Sequence, residues 1–87
     1  MALKKYEDSD WQEGYVNNVW CKFKTILSPK GDLFVITKRN STSRVFMLPK
    51  QIIEENKNED FNDIMAKAEE VPPSKISGFI KKSLPTS

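Results

Sequence analysis

Apolar and polar side chains alternate over residues 19–27, immediately before a compact turn sequence, and this pattern constrains the fold more than any other. A pleated strand imposes a period of two, so the alternation predicts a strand. In the turn, Ser28-Pro29-Lys30-Gly31-Asp32, the proline pre-sets φ and the glycine suits the left-handed region. Residues 33–38 are rich in β-branched and aromatic side chains and predict the return strand of a hairpin.

Pairing Ser28 with Asp32 sets the register of this hairpin, so that Leu27 lies opposite Leu33 and Phe23 opposite Thr37. The two faces of the sheet then differ in character. The first face carries Cys21, Phe23, Leu27, Leu33 and Val35. The second face carries Trp20, Lys22, Lys24, Ile26, Phe34, Ile36 and Lys38. The helices are expected to cover one of these faces, and the sequence does not decide which one.

A polar loop over residues 39–43 and a third strand over residues 44–48 complete an antiparallel meander. Pro49 favours a helix start, which predicts a short helix over residues 50–56. Asn58 is a candidate cap for a second helix. Its apolar stripe, at helical spacing, is Phe61, Ile64, Met65, Ala68 and Val71.

Two prolines, Pro72 and Pro73, end the second helix, and Ser74 is a candidate cap for a last helix over residues 74–84. The N-terminal segment is ambiguous. Trp11, Tyr15 and Val19 fit helical spacing, whereas Gly14, Asn17 and Asn18 argue against a long element.

The predicted fold is therefore one α+β domain over residues 1–87. An antiparallel meander of three strands, with a fourth left open, occupies residues 19–48. Two or three short helices over residues 49–84 pack on one face, and residues 1–14 are a candidate flexible segment.

The residue types that are missing exclude several kinds of chemistry. The 87 residues contain no histidine and a single cysteine, Cys21. This removes histidine-based catalysis, disulfide frameworks and multi-cysteine zinc sites, so neither an enzyme nor a cofactor is expected. The N-terminus lacks the apolar stretch of a signal peptide, and no run approaches the roughly 20 apolar residues of a membrane span. A cytoplasmic location without membrane association is the expectation.

The charges are segregated along the chain. Residues 14–50 carry seven basic side chains against Asp32 alone, a net charge of +6, and residues 51–71 carry seven acids against two lysines, a net charge of −5. The acids admit a metal site for phosphodiester cleavage, a mimic of nucleic-acid phosphates, or a solvated helix face. The solvated face is favoured, because nothing in the spacing forces the carboxylates to converge.

The leading functional hypothesis is a small non-enzymatic binding or regulatory protein that docks to a macromolecule, most simply a protein partner. Twelve lysines against two arginines suggest an AT-rich coding genome, such as that of a phage or a low-GC bacterium. An inhibitor of a host protein, encoded by a phage or a mobile element, fits this bias. Candidate partner-binding residues are Trp11, Tyr15, Phe79, Lys81 and Lys82. A homodimer is a further candidate, because so small a domain gains apolar burial by pairing.

The alternative is a binder of single-stranded DNA or RNA, in which lysines follow the backbone and bases stack on aromatic side chains. Its candidate residues are Trp20, Lys22, Lys24, Lys30, Phe34, Lys38, Arg39 and Arg44. A basic meander followed by a helix that opens at Leu48-Pro49-Lys50-Gln51 resembles, in topology, the single-strand-binding transcriptional coactivator fold. The helices expected after Asn58 depart from that fold, and no residue role is carried over.

Overall fold

Five antiparallel strands form one sheet in sequence order. The computed structural model describes residues 8–76 and Gly78. Its strands are β1 (Gln12–Val16), β2 (Val19–Leu27), β3 (Leu33–Arg39), β4 (Thr42–Leu48) and β5 (Glu69–Val71). Two short helices, α1 (Lys50–Glu55) and α2 (Phe61–Ile64), are accompanied by 3₁₀ turns at Met65–Lys67 and Pro73–Lys75. An antiparallel sheet with short helices agrees with the predicted α+β class, whereas the predicted three or four strands are too few.

The β2–β3 hairpin has the predicted register. Leu27 lies opposite Leu33, and Phe23 lies opposite Thr37. The Ser28 N–H donates to the Asp32 carbonyl at 2.8 Å, which closes the turn. Gly31 has φ of 96°, a left-handed conformation that glycine adopts without steric cost. The local signals of this hairpin all agree, so the sequence is sufficient to predict it.

Residues Gln12–Val16 form the strand β1, so the helical spacing of Trp11, Tyr15 and Val19 does not correspond to a helix. Asn17 and Asn18 have φ of 51° and 67°, so they form a two-residue turn between β1 and β2. Two successive positive φ angles characterise the type I′ turn, whose twist matches the right-handed twist of the strands, and asparagine tolerates them well. The two adjacent asparagines are the sequence pattern from which this hairpin could have been predicted.

The turn between β3 and β4 is also tighter than predicted. β3 extends to Arg39 and β4 begins at Thr42, and these two residues lie opposite each other. Only Asn40 and Ser41 lie outside the strands, and Asn40 has φ of 57°. The prediction of a polar loop over residues 39–43 is therefore wrong. The exposed ends of both strands are polar, and polarity alone does not distinguish such strand ends from a loop.

The helix α1 begins and ends close to the predicted positions. Its N-cap residue, Pro49, has no side-chain acceptor. Asp32 supplies one from the β2–β3 turn, because its Oδ1 accepts the Lys50 backbone N–H at 2.9 Å. A carboxylate here satisfies one of the free N–H groups of the first helical turn and lies near the positive end of the helix.

The second helix is shorter than the apolar stripe predicted. Asp60, not Asn58, is the N-cap residue, and the α-helix ends at Ile64. After the 3₁₀ turn, Ala68 is extended with ψ of 152°, and the chain continues into β5. Val71 lies opposite Val45 of β4 instead of continuing the stripe. A residue before proline is disfavoured in a helix, and pairing with β4 satisfies backbone groups that an edge strand leaves free.

The helices pack on the first face of the sheet, a choice between the two faces that the sequence left open. Phe61 of α2 stacks on Phe23 of β2 with ring centroids 5.1 Å apart. The buried residues of this core are Val16, Cys21, Phe23, Leu33, Val35, Leu48, Ile53, Ile64 and Met65. On the second face a smaller cluster forms around buried Ile36 and Val45, with Trp11, Ile26, Phe34, Val71 and Ile76 packed against it.

The chain after β5 crosses to the second face, where Ile76 packs against the smaller cluster. Ser74 lies within the 3₁₀ turn Pro73–Lys75, whose N-cap residue is Pro72. The predicted helix over residues 74–84 falls mostly outside the described residues. Across residues 8–76 and Gly78, no helix is long and apolar enough to cross a lipid bilayer.

Candidate binding surfaces at one end of the sheet

Two asparagine-containing turns lie at the same end of the sheet, because β1 and β3 both run toward it. They are the Asn17–Asn18 turn and the Asn40–Ser41 turn. We call this the asparagine end. Asn62 of α2 anchors the first turn: its Oδ1 accepts the Asn18 N–H at 2.6 Å, and its Nδ2 donates to the Asn18 Oδ1 at 3.0 Å. The candidate binding surfaces lie at this end, on both faces.

On the second face, two large aromatic side chains are exposed side by side. Tyr15 of β1 and Trp20 of β2 lie opposite each other, and 57% and 54% of these residues remain exposed. Their ring centroids are 5.1 Å apart with planes at 77°, an edge-to-face contact. The contact favours this arrangement of the two rings while leaving more than half of each residue accessible.

Two lysines lie next to this pair. Lys22 and Lys38 are directly opposite each other on β2 and β3, and both are exposed. Like charges directly opposite in a sheet are destabilising, and Glu13, opposite Lys22 on β1, offsets only part of this repulsion. Folding stability therefore does not account for the lysine pair. We refer to Tyr15, Trp20, Lys22 and Lys38 as the aromatic–lysine patch.

The eight candidate nucleic-acid residues do not form one surface. Trp20, Lys22, Lys24, Phe34 and Lys38 share the second face, but Phe34 is half-buried in the smaller cluster. The Lys24 ammonium lies 5.7 Å from the Trp11 ring centroid, so part of its charge faces an aromatic side chain. Arg39 belongs to β3 and not to the predicted loop, and strand alternation places Arg39 and Arg44 on the first face. Lys30 lies in the β2–β3 turn at the opposite end.

The candidate partner-binding residues also separate. Tyr15 belongs to the exposed patch, whereas Trp11 packs against the smaller cluster and contributes to folding. Phe79, Lys81 and Lys82 lie outside the described residues.

On the first face, the asparagine end holds a cavity of about 430 Å³ that the sequence did not predict. Arg39, Arg44 and the buried Cys21 are among the residues that line it. Burial raises the pKa of the Cys21 thiol, and the nearby Arg39 guanidinium lowers it in part. We refer to this space as the arginine cavity. Its existence depends on where α2 ends, which no local sequence pattern specifies.

A smaller cleft of about 290 Å³ lies beside the aromatic–lysine patch. It is lined by Glu13, Trp20, Cys21, Lys22, Lys38, Arg39 and Asn40. Cys21, Arg39 and Asn40 line both this cleft and the arginine cavity. The two surfaces are therefore adjacent at the asparagine end.

The acidic block disperses over three elements. Glu54 and Glu55 lie on α1, Asp63 on α2, and Glu69 and Glu70 on β5, while Glu59 and Asp60 lie between the two helices. Among the residues that the structure describes, no group of three or more histidine, cysteine, aspartate or glutamate side chains is placed to hold a metal ion. The arrangement gives no support to metal-dependent phosphodiester cleavage.

No family model, curated protein or solved structure matches this chain. The function is therefore inferred from the geometry and charge of the surfaces themselves.

Proposed function

We propose that this protein is a non-enzymatic binding protein that docks onto an acidic surface of a partner protein through the aromatic–lysine patch. The observation that carries this proposal is the exposure of Tyr15 and Trp20, each more than half accessible, beside two exposed lysines. Tyrosine and tryptophan are the residues that most often contribute large binding energies at protein interfaces. An inhibitor of a host protein, encoded by a phage or mobile element, is one form of this function, and the lysine bias of the chain supports it.

The rigid aromatic pair lowers the entropic cost of such docking. The edge-to-face contact between Tyr15 and Trp20 already restricts both rings, so a partner orders little further side-chain motion there. Carboxylates of the partner placed over Lys22 and Lys38 also relieve the repulsion between the two ammonium groups.

A second candidate function, binding of single-stranded nucleic acid, is favoured by the same adjacency of Trp20 to Lys22 and Lys38. In this case a base stacks on the indole ring and phosphates lie over the lysines. Arg44 and Lys30 lie away from the patch, and only Arg39 reaches the adjoining cleft. The patch therefore has few cations, which is why we place this function second.

The docking proposal is tested by affinity capture with immobilised wild-type protein and with Trp20→Ala and Lys38→Glu variants. We expect a protein that is enriched on the wild type and lost on both variants. With that protein purified, calorimetry is expected to show a Kd at least about tenfold weaker for Trp20→Ala, because a central aromatic anchor contributes more than about 1.4 kcal/mol.

The matched control is Lys57→Glu, which makes the same charge change at an exposed lysine after α1. Equal capture by wild type, both patch variants and this control would contradict docking through the patch. Titration of labelled single-stranded DNA at two salt concentrations decides the second candidate. Binding there requires a log–log salt slope of about 0.7 per contacted phosphate, and absence of binding at low salt excludes it.

A further inference from the structure

The arginine cavity has the size and lining of a small-molecule site. Its volume of about 430 Å³ falls within the roughly 300–1,000 Å³ typical of ligand pockets. It opens at the asparagine end of the first face, where Met65, Ala66 and Ala68 form one wall after α2 ends. The strands β2, β3 and β4 form the floor.

Both arginines of the chain line this one cavity. Arg39 lies opposite Thr42, and Arg44 lies opposite Thr37, so the two arginines are diagonal neighbours on one face of β3 and β4. Diagonal neighbours in a sheet are separated by roughly 7–8 Å, within the reach of two long side chains toward a common anion. Arginine stays charged at all physiological pH values and binds carboxylates through two parallel hydrogen bonds.

The remaining lining divides into polar and apolar parts. Thr37, Thr42 and Asn40 place further polar groups near the guanidinium groups. The larger apolar side chains are those of Val16, Val19, Phe46 and Met65. None of the described residues that line the cavity carries a carboxylate, so the local charge is positive. A ligand that satisfies both parts needs one anionic end and an apolar body.

We propose that the arginine cavity binds a small organic carboxylate, with the carboxylate held by Arg39 and Arg44 and an apolar body packed against Phe46 and Met65. An inorganic anion leaves the apolar wall unused, and a cation is repelled by both guanidinium groups. This proposal does not rest on the proposed docking function, because none of the four residues of the aromatic–lysine patch lines the arginine cavity, although Arg39 also lines the cleft beside that patch.

One carboxylate of the chain itself competes for this site. Glu70 of β5 lies 3.9 Å from the Arg44 guanidinium, and both side chains are largely exposed. At this distance and exposure the ion pair is weak, so a ligand carboxylate with better geometry displaces it. Removing the Glu70 charge is therefore expected to strengthen ligand binding.

The test uses 4-phenylbutyrate as a probe, followed by amide chemical shifts in ¹H–¹⁵N NMR spectra of the full chain. The neutral 4-phenylbutan-1-ol and the cationic 4-phenylbutylamine have the same apolar body. We expect saturable binding of the acid at least about tenfold tighter than that of the alcohol, with shifts at Val19, Thr37 and Ala68, and no binding of the amine.

Arg39→Gln and Arg44→Gln are each expected to weaken binding about tenfold, whereas Lys30→Gln, at the far end of the sheet, leaves it unchanged. Glu70→Gln is expected to tighten binding of the acid. If an arginine variant fails to fold, the affinity of Glu70→Gln still tests the proposal. No binding of the acid, equal binding of acid and alcohol, shifts outside the cavity, or unchanged affinity in Glu70→Gln and the arginine variants would each overturn the proposal.

Discussion

Two features of its surroundings, burial in the core and a nearby positive charge, set the properties of Cys21. It is only 6% exposed in the core of the first face, yet it also lines the arginine cavity. Loss of hydration disfavours the thiolate and raises the pKa of the thiol, while the Arg39 guanidinium favours the thiolate and lowers it in part. Because burial is the larger effect, Cys21 is expected to stay a protonated, slowly reacting thiol at neutral pH.

This shift predicts a pH dependence of stability. The pKa of Cys21 in the folded state lies above its ordinary value of 9.0, so the folded chain holds the proton more tightly than the unfolded chain. The resulting contribution to stability is complete below pH 9.0 and is lost as the pH rises through the folded-state pKa. Urea unfolding between about pH 7 and pH 10 should show a steeper alkaline loss for the wild type than for Cys21→Ala. Parallel pH profiles would contradict this assignment.

At the scale of elements, the sequence predicts those whose signals are local. The β2–β3 hairpin and α1 follow from strand alternation, the Pro-Gly turn and Pro49. The first hairpin was also readable from the two adjacent asparagines. The strand β5 could not be predicted, because Glu69-Glu70-Val71 is short and acidic. It forms a strand only through pairing with the edge of β4. A helical stripe therefore gave the correct core contacts of α2 but the wrong length.

The contact between the β2–β3 turn and α1 gives a test at this scale. Asp32→Ala removes the acceptor for the Lys50 N–H and is expected to lower the free energy of unfolding by about 1 kcal/mol. Asp32→Asn retains an acceptor oxygen and should restore most of that loss. Glu54→Ala removes the same charge from an exposed position of α1 and is the control. Chemical denaturation checks all three, and equal losses for Asp32→Ala and Glu54→Ala would refute the cap.

Over the whole molecule, packing is uneven from one end of the sheet to the other. Leu33 and Leu48, next to the β2–β3 turn, are completely buried on the first face. The asparagine end instead leaves Tyr15 and Trp20 exposed on the second face, beside the smaller cleft, and holds the arginine cavity on the first face. Strand alternation was enough to predict that Trp20, Lys22 and Lys38 share a face, whereas the position of Tyr15 beside Trp20 depends on β1, which was not predicted. The arginine cavity depends on how far the helices extend over the sheet, which is a property of the assembled fold.

The same unevenness predicts a gradient of local stability across the strands. β3 is central and carries three fully buried side chains, Leu33, Val35 and Ile36, whereas β5 is an edge strand held by three cross-strand pairs. Hydrogen-bonded amides of β3 are therefore expected to exchange only through global unfolding, with a strong dependence on denaturant. Those of β5 should exchange at least about tenfold faster with little denaturant dependence, because local opening exposes little surface. Native-state hydrogen exchange by NMR distinguishes the two. Equal protection and equal denaturant slopes in β3 and β5 would show that β5 opens only together with the core, and that β5 is an integral part of the cooperative unit.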